Sequence, residues 1–584
     1  MNISRREFIQ ILAAAAAAGI NLAGCEPGSD QQKPAGGPKP SKGPSTLYEL
    51  PPFGNVSLLH YTDCHAQLLP VYFREPSYNI GVGPMRGKPP HLVGEAFLKH
   101  YGIKRGTPEA HAFTYLDFAE LAKKYGKVGG FAHLATLVKK IREQRPGALL
   151  LDGGDTWQGS ATSLWSNAQD MVDAQILLGV DVMCPHWEFT FGAERVKEVI
   201  EKDFKGKIDF VAQNVVDKDW GERIFKPYAI REINGVPVAI VGQAFPYTPI
   251  ANPSYLIPEW SFGIREEEMQ DAVDAARGEG AQVVIVLSHN GMDVDLKMAS
   301  RVRGIDAIMG GHTHDAVPRP VEVPNPGGGK TLVINSGSNG KFLSVLDLDV
   351  RDGKVRDYRY RLLPVFSNFL EPDPAMSAYI EQVRAPYKEK LEEQLATAGD
   401  LLYRRGNFNG TFDQVICDAL REVMGAQISF SPGFRWGPSL LPGDPITFEY
   451  VMTHTAITYP VVTLNEMTGE QIKMVLEDVA DNLFNKDPYY QQGGDMVRVG
   501  GLRYAINPEA DIGKRITDME LDGEPIDPKK TYTVAGWASV ARPLEGRPVW
   551  DVVAEYLRDQ KVVRVKELNV PVLKGVEGNP GIGA

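Results

Sequence analysis

Five of the chain's eleven histidines stand beside carboxylates or glycines at strand-end turns. The segments are Tyr61-Thr62-Asp63-Cys64-His65, Asp152-Gly153-Gly154-Asp155, Pro185-His186-Trp187-Glu188, Ser288-His289-Asn290 and Gly310-Gly311-His312-Thr313-His314. Asp63, Asp155 and the five histidines are the candidate ligands among them. They supply enough oxygen and imidazole nitrogen for two divalent ions sharing one bridging carboxylate. A metal pair of this kind implies one reaction class, attack of a metal-held hydroxide on a phosphoryl-like centre.

No segment is decisive alone. Asp63 and His65 lie two apart, so on an extended strand end they project to one side; an isolated pair of this type more often decorates a surface. Asp155 follows two glycines that let the backbone pack closely, and its two oxygens make it the candidate bridge. His312 and His314, separated by one residue after a glycine pair, can face two different ions. His289 is weaker evidence, because many single histidines are structural.

These residues must be carried by a frame. Apolar runs recur at Val56–Tyr61, Ala148–Leu151, Val236–Val241, Val283–Leu287 and Thr331–Ile334, several of them continuous, as in strands covered on both faces. Helical patterns intervene at Phe131–Glu143, Ala193–Lys202 and Glu266–Ala276, giving an α/β layered chain. The Pro-, Gly- and aromatic-rich stretch from Tyr72 to Tyr125 is expected to form an insertion, a rim or lid near the first ligand loop. At 584 residues, more than one domain is expected. A Glu/Lys-rich helical stretch within 366–398 is the expected linker between a catalytic domain at 48–365 and a second α/β domain at 399–575.

The formal net charge of −12 argues against a general nucleic-acid binder. At the N-terminus, Arg5-Arg6, an Ala-rich apolar run and Leu22-Ala23-Gly24-Cys25 form an expected export signal over residues 1–25, with paired arginines resembling a twin-arginine signal. The last four residues also resemble a lipoprotein cleavage box, which would anchor the chain through Cys25; cleavage nearby to a soluble product is the alternative. Residues 26–47, rich in Pro, Gly, Ser and Lys, read as a disordered tether. The expected location is periplasmic.

The motif order D-x-H, G-D, a histidine–glutamate segment, S-H and G-H-x-H resembles the calcineurin-like metallophosphoesterases, and the two-domain plan their 5′-nucleotidase branch, over nearly all of 48–575. The resemblance implies a four-layered αββα metal domain plus a C-terminal α/β substrate domain. It implies one ion on Asp63, His65, Asp155 and His314, and another on Asp155, His186, His289 and His312. The ligand set suits Mn²⁺, Zn²⁺ or Fe²⁺ rather than Ca²⁺.

The chain departs from the nucleotidase pattern at Gly-Asn-His-Glu. Here the metal-binding Asn is replaced by His186 and the catalytic His by Trp187, while Thr190 stands where the Asp paired with that His would be. The missing pair assists an alcohol leaving group, whose conjugate acid has a pKa comparable to water's ~15.7. A thiol, near ~8.5, departs as thiolate with little protonation. The difference of roughly 7 units corresponds to about 10 kcal/mol in leaving-group basicity, only part of which enters a barrier.

The variant motifs, from His60–His65 and Gly154–Ser160 through His186–Gly192, Ser288–Asp293 and Gly310–Asp315 to Tyr489–Arg498, resemble the SoxB thiosulfohydrolases. That resemblance implies release of sulfate from a cysteine S-thiosulfonate on a SoxYZ-type carrier at a dinuclear site commonly assigned to manganese. Arg435 falls where the nucleotidase segment keeps an arginine, and a guanidinium fork suits sulfonate oxygens; an interdomain salt bridge is its alternative role. Tyr489, Tyr490 and Asp495 are candidate cleft-wall residues, and Trp187 a candidate shield against water. The competing readings are a periplasmic 5′-nucleotidase or UDP-sugar phosphoesterase, and a non-enzymatic metal- or carrier-binding protein.

Overall fold

The computed structural model describes residues 46–583. The export segment, Cys25 and most of the tether lie outside them. Leu47, assigned from sequence to the tether, is buried in the core beside Tyr48, because its apolar side chain finds a site against the first sheet.

Two six-stranded sheets form the frame of the site. The first runs in the order Lys354–Pro364, Phe342–Arg351, Val56–Tyr61, Leu149–Asp152, Val182–Met183, Asp209–Phe210. The second runs Val321–Pro324, Lys330–Asn335, Ala307–Gly310, Val283–Ser288, Val236–Gln243, Tyr228–Ile233. In the first sheet the four strands from Val56–Tyr61 to Asp209–Phe210 are parallel and the two from Phe342 to Pro364 are antiparallel; in the second, the central strands are parallel and both outermost pairings antiparallel.

Alternation along each strand divides the core. Val56, Leu58, Leu149, Leu151, Val238, Ile240, Ile285 and Met309 form one cluster with residues of both sheets. Their neighbours Leu59, Leu150, Ala239, Val241, Val284 and Ile308 pack with helical residues such as Phe131, Leu134, Met269 and Val273. The result is helix, sheet, sheet, helix, with strands apolar on both faces because both faces are covered. Parallel strands end at one edge, so Tyr61, Asp152, Met183, Ser288 and Gly310 deliver their following loops to one place.

The helix expected at Ala193–Lys202 is α-helical only to Glu198 and continues as a π turn over Val199–Asp203. The 72–125 stretch carries three short helices, Gly94–Tyr101, Pro108–Phe113 and Phe118–Tyr125. Its Ile80 and Val82 pack in a cluster with Phe408, Ile472 and Met496 of the C-terminal half. Residues 576–583 bind the same stretch. Asn79 N–H donates to Gly581 O at 2.8 Å, and Val93 N–H to Pro580 O at 3.1 Å.

A helix at Pro374–Arg384 falls within the expected linker, but Gln394–Ala398 does not behave as linker. It pairs with Pro445–Thr447 and Val562–Val563, so the second domain's hydrogen-bonded framework begins at Gln394. Two further four-stranded sheets and the helices Thr411–Met424, Phe448–Thr455, Gly469–Phe484 and Val549–Gln560 complete it. Among the described residues no helix is long and apolar enough to cross a membrane.

Candidate metal centre

The structure brings the seven candidate ligands together in two buried groups that share Asp155. One is Asp63, His65, Asp155 and His314; the other is Asp155, His186, His289 and His312, and within each group the ligand atoms lie within 4.8 Å of one another. His186 Nδ1 is 3.0 Å from Asp155 Oδ1 and His289 Nε2 is 3.0 Å from Oδ2. His314 Nε2 is 3.1 Å from Asp63 Oδ1 and from His65 Nε2.

The donor set fits two cations. His289 Nδ1 faces Gly153 O at 2.6 Å, His65 Nδ1 faces Gln158 O at 3.2 Å and His312 Nε2 faces Gln492 O at 3.3 Å. His186 Nε2 faces Asn252 Oδ1 at 3.3 Å. A carbonyl only accepts, so each of these ring nitrogens carries a proton, which leaves the opposite nitrogen to present its lone pair when an ion is bound. His186 Nδ1 and His289 Nε2 make no well-formed hydrogen bond although Asp155 oxygens lie 3.0 Å away, a costly crowding of acceptors that a coordinated ion removes.

Electrostatics agree. Burial lowers the His65 imidazole to about 3 and raises the Asp63 carboxyl to about 6. Burial opposes charge on His289 too, yet Asp155 and Asp63 outweigh it and push the ring up to about 10. Burial also opposes ionisation of Asp155, but His186 and His289 hold it well below the usual carboxylate range. The pocket is built for positive charge between the carboxylates.

Backbone strain is concentrated here. Asp63, His65, Asp155, His312 and His314 all have left-handed φ, between 46° and 73°. Such values are uncommon for residues with a Cβ and persist where the surroundings over-determine them. Gly311 is required by close approach: a Cβ there would lie 2.8 Å from Asp63 Oδ2 and 3.1 Å from His289 Nδ1.

Glu188, used in sequence only to align the third motif, ties the loops together. Its Oε1 accepts from the N–H of Thr156 at 2.7 Å, and its Oε2 from the N–H of His186 at 2.8 Å and Asp155 at 3.3 Å. Asp152 likewise accepts from Tyr61 Oη, Thr156 Oγ1, Gln175 Nε2 and the Gly154 N–H.

A cleft of about 160 Å³ opens over the ligand groups, lined by Trp187, Asn252, Phe434, Arg435, Trp436 and Gln492–Asp495 among others. Trp187 is buried, edge-on to Phe434 and Trp436 and parallel to Tyr459. Trp436 stacks on His65 at 4.5 Å. Arg435 donates from Nη1 to His312 O at 3.1 Å and from Nη2 to Gly494 O. Two of its five N–H donors are used in these bonds, and the residue lines the cleft.

Two of the sequence candidates fall elsewhere. Tyr489 and Tyr490 do not line the cleft. The Tyr489 hydroxyl donates to Glu266 at 2.5 Å and its ring lies under Lys297, so it latches the second domain to the first; Tyr490 is largely exposed. Asp495 lines the cleft but is buried, bound to Arg498 at 3.2 Å and Asn407 at 3.2 Å and 3.6 Å from Arg435 Nε. A carboxylate facing a sulfonate would repel it, and here Arg498 and Arg435 occupy its oxygens, making it a support for Arg435. Sequence reasoning gave no role to Asn252, Phe434 or Trp436, while Gln492 lies within the stretch from Tyr489 to Asp495 expected at the cleft wall. For Gln492 the adjoining glycine pair was a visible signal; Asn252 carries none.

Residues 397–550 match the family model described as 5′-nucleotidase, C-terminal domain. The chain is 28% identical to the 5′-nucleotidase of Rattus norvegicus over 507 residues, covering 75% of this chain and 84% of the relative. A 5′-nucleotidase precursor from Thermus thermophilus shares the fold, with a TM-score of 0.70 at 22% identity over 89% of this chain and 99% of the other. The sulfate thiohydrolase SoxB of Thermus thermophilus superposes with a TM-score of 0.86 at 40% identity, over 90% of this chain and 98% of that one. A metal-dependent hydrolase, the chain belongs to the SoxB family of sulfate thiohydrolases, within the 5′-nucleotidase branch of the calcineurin-like metallophosphoesterases.

Proposed function

We propose that the chain hydrolyses the sulfonate from a cysteine S-thiosulfonate on a SoxYZ-type carrier, releasing sulfate during thiosulfate oxidation. The observation that carries this reading is Trp187. It lines the cleft above Asp155 with its indole packed among Phe434, Trp436 and Tyr459, where the nucleotidase pattern has an acid–base histidine. Thr190, in place of the paired aspartate, turns its hydroxyl to Trp187 O at 2.7 Å. The site therefore supplies no proton to a leaving group at that position, which an alkoxide needs and a sulfur anion does not.

In this proposal Asp63, His65, Asp155 and His314 hold one ion and Asp155, His186, His289 and His312 the other, with Mn²⁺ the proposed metal. Bound there, the pair supplies positive charge to the sulfonate and lowers the pKa of the attacking water. Arg435 directs its remaining N–H donors at sulfonate oxygens. The indoles and Phe434 exclude bulk water and give an apolar passage for the sulfur-bearing arm of the carrier. Attack on sulfur breaks the bond to the carrier's sulfur, which keeps the electron pair and leaves as persulfide anion. In the same proposal, export through the Arg5-Arg6 segment puts this chemistry in the periplasm, with cleavage to a soluble product or anchoring through Cys25 as the two alternatives.

The test is to offer purified, metal-analysed protein a thiosulfonated carrier, AMP and a UDP-sugar, and to measure sulfate and phosphate. Sulfate release without comparable phosphate release is expected. Efficient phosphate release with little sulfate would make the chain a nucleotidase, and Asp155→Ala that kept sulfate release would refute the ligand assignment.

A further inference from the structure

We infer that Arg405, contributed by the C-terminal half, is a positioning residue for the Gly310–Asp315 loop and thereby sets metal affinity at both ions. The inference rests on the metal assignment proposed above. His312 and His314 belong to different ligand groups yet sit two residues apart, each with left-handed φ, 73° and 57°. A loop so twisted turns its carbonyls away from the sheet ladder, and three consecutive ones need donors.

Two guanidinium groups provide them. Arg435 Nη1 donates to His312 O at 3.1 Å. Arg405 Nη2 donates to Thr313 O and to His314 O, both at 3.2 Å. One planar nitrogen bridging neighbouring carbonyls fixes the relative tilt of two peptide planes, and with it the direction in which His314 projects. On the ring side, His312 Nε2 meets Gln492 O, also from the C-terminal half. Behind the loop, Asn79 Nδ2 donates to Asp315 Oδ1 at 3.0 Å.

Arg405 is buried, 6% exposed, and makes no ion pair within 4 Å among the described residues. A buried guanidinium with no carboxylate in contact, only Asp315 nearby, is expensive to keep. Its placement against loop carbonyls gives that expense a use: outer groups that orient ligating histidines commonly change metal affinity or activity by about 10–100-fold when removed. Arg405 does not line the cleft over the ligand groups, but it lines adjoining cavities that reach Arg435 and His314, so the KM for the carrier is the readout that separates positioning from substrate contact.

The experiment compares metal-depleted wild-type protein with Arg405→Gln and Arg405→Lys, titrating Mn²⁺ against a chromophoric chelator and measuring turnover at saturating Mn²⁺. Wild-type protein is expected to take two ions. Both variants should bind Mn²⁺ about 10–100-fold more weakly, because Lys keeps the charge but not the planar fork. KM for the thiosulfonated carrier should stay within twofold once metal saturates. Wild-type affinity in either variant overturns the inference, as does a raised KM with unchanged metal binding, which would make Arg405 a substrate contact. If the metal-free variants are unfolded by circular dichroism, Arg405 is a folding residue and the inference is equally overturned. Wild-type protein that takes up no divalent metal refutes the underlying site, a separate outcome read before any variant.

Discussion

Glu188 Oε2 accepts the backbone N–H of His186 at 2.8 Å. The same carboxylate takes the N–H groups of Asp155 and Thr156, so one buried side chain sets the spacing between two ligand loops. Glu188→Gln keeps the volume but turns an amide NH₂ toward backbone donors. Metal affinity should fall about 10–100-fold, as for other groups that orient ligands. Metal content after dialysis, measured with sulfate release, checks this; unchanged content would reduce Glu188 to a loop staple.

Trp187 is 6% exposed and closes the aromatic wall of the cleft. Trp187→Ala should destabilise the fold by about 3–5 kcal/mol, the range for emptying a large aromatic site. Urea unfolding midpoints would register it. A change under about 1 kcal/mol would mean that the indole is not packed as described.

Gly493 has φ of +70°, and a Cβ there would overlap His312 Nε2. Gly493→Ala should displace His312, adding about 1–2 kcal/mol of left-handed strain. Loss of tightly held Mn²⁺ from one of two sites is expected, counted by elemental analysis. Retention of both would show that the wall yields instead.

His91 Nε2 lies 3.0 Å from Asp293 Oδ2, with Nδ1 on Asn79 and Asp315 behind it, joining the 72–125 insertion to the helix Met292–Ala299. Burial opposes the charge, but Asp293 prevails and raises the imidazole above its ordinary value. A raised histidine contributes its full stability below the unfolded pKa of 6.5 and loses it as pH rises through the folded value. Thermal melts should therefore drop more steeply with pH, from about 6.5 upward, in wild-type protein than in His91→Asn. Parallel curves would exclude the latch.

The strands and the ligand order were readable because both are local. Continuous apolar runs such as Val283–Ser288 mark strands covered on both faces, and each ligand follows its strand end within a few residues. What was not readable depends on contacts across long sequence separations. Tyr489 looked like a cleft aromatic, but its neighbour Glu266 is more than two hundred residues away. Asp495 lines the cleft as its position suggests, but its bonds to Arg498 and Asn407 could not be read from the sequence. Gln394–Ala398 followed a helical linker pattern, and only its partners at Pro445–Thr447 and Val562–Val563 identify it as strand. The role of Asn252 is equally invisible without the ring it orients.

The left-handed backbone at Asp63, His65, Asp155, His312 and His314 bears on how any mutational scan of this centre must be interpreted. A valine or isoleucine there would report two quantities at once, a missing donor atom and a backbone that branched side chains resist. Asparagine or glycine tolerates the same torsion. Of the two, glycine alone removes the donor atom while keeping the bend, since the asparagine oxygen can still bind a metal.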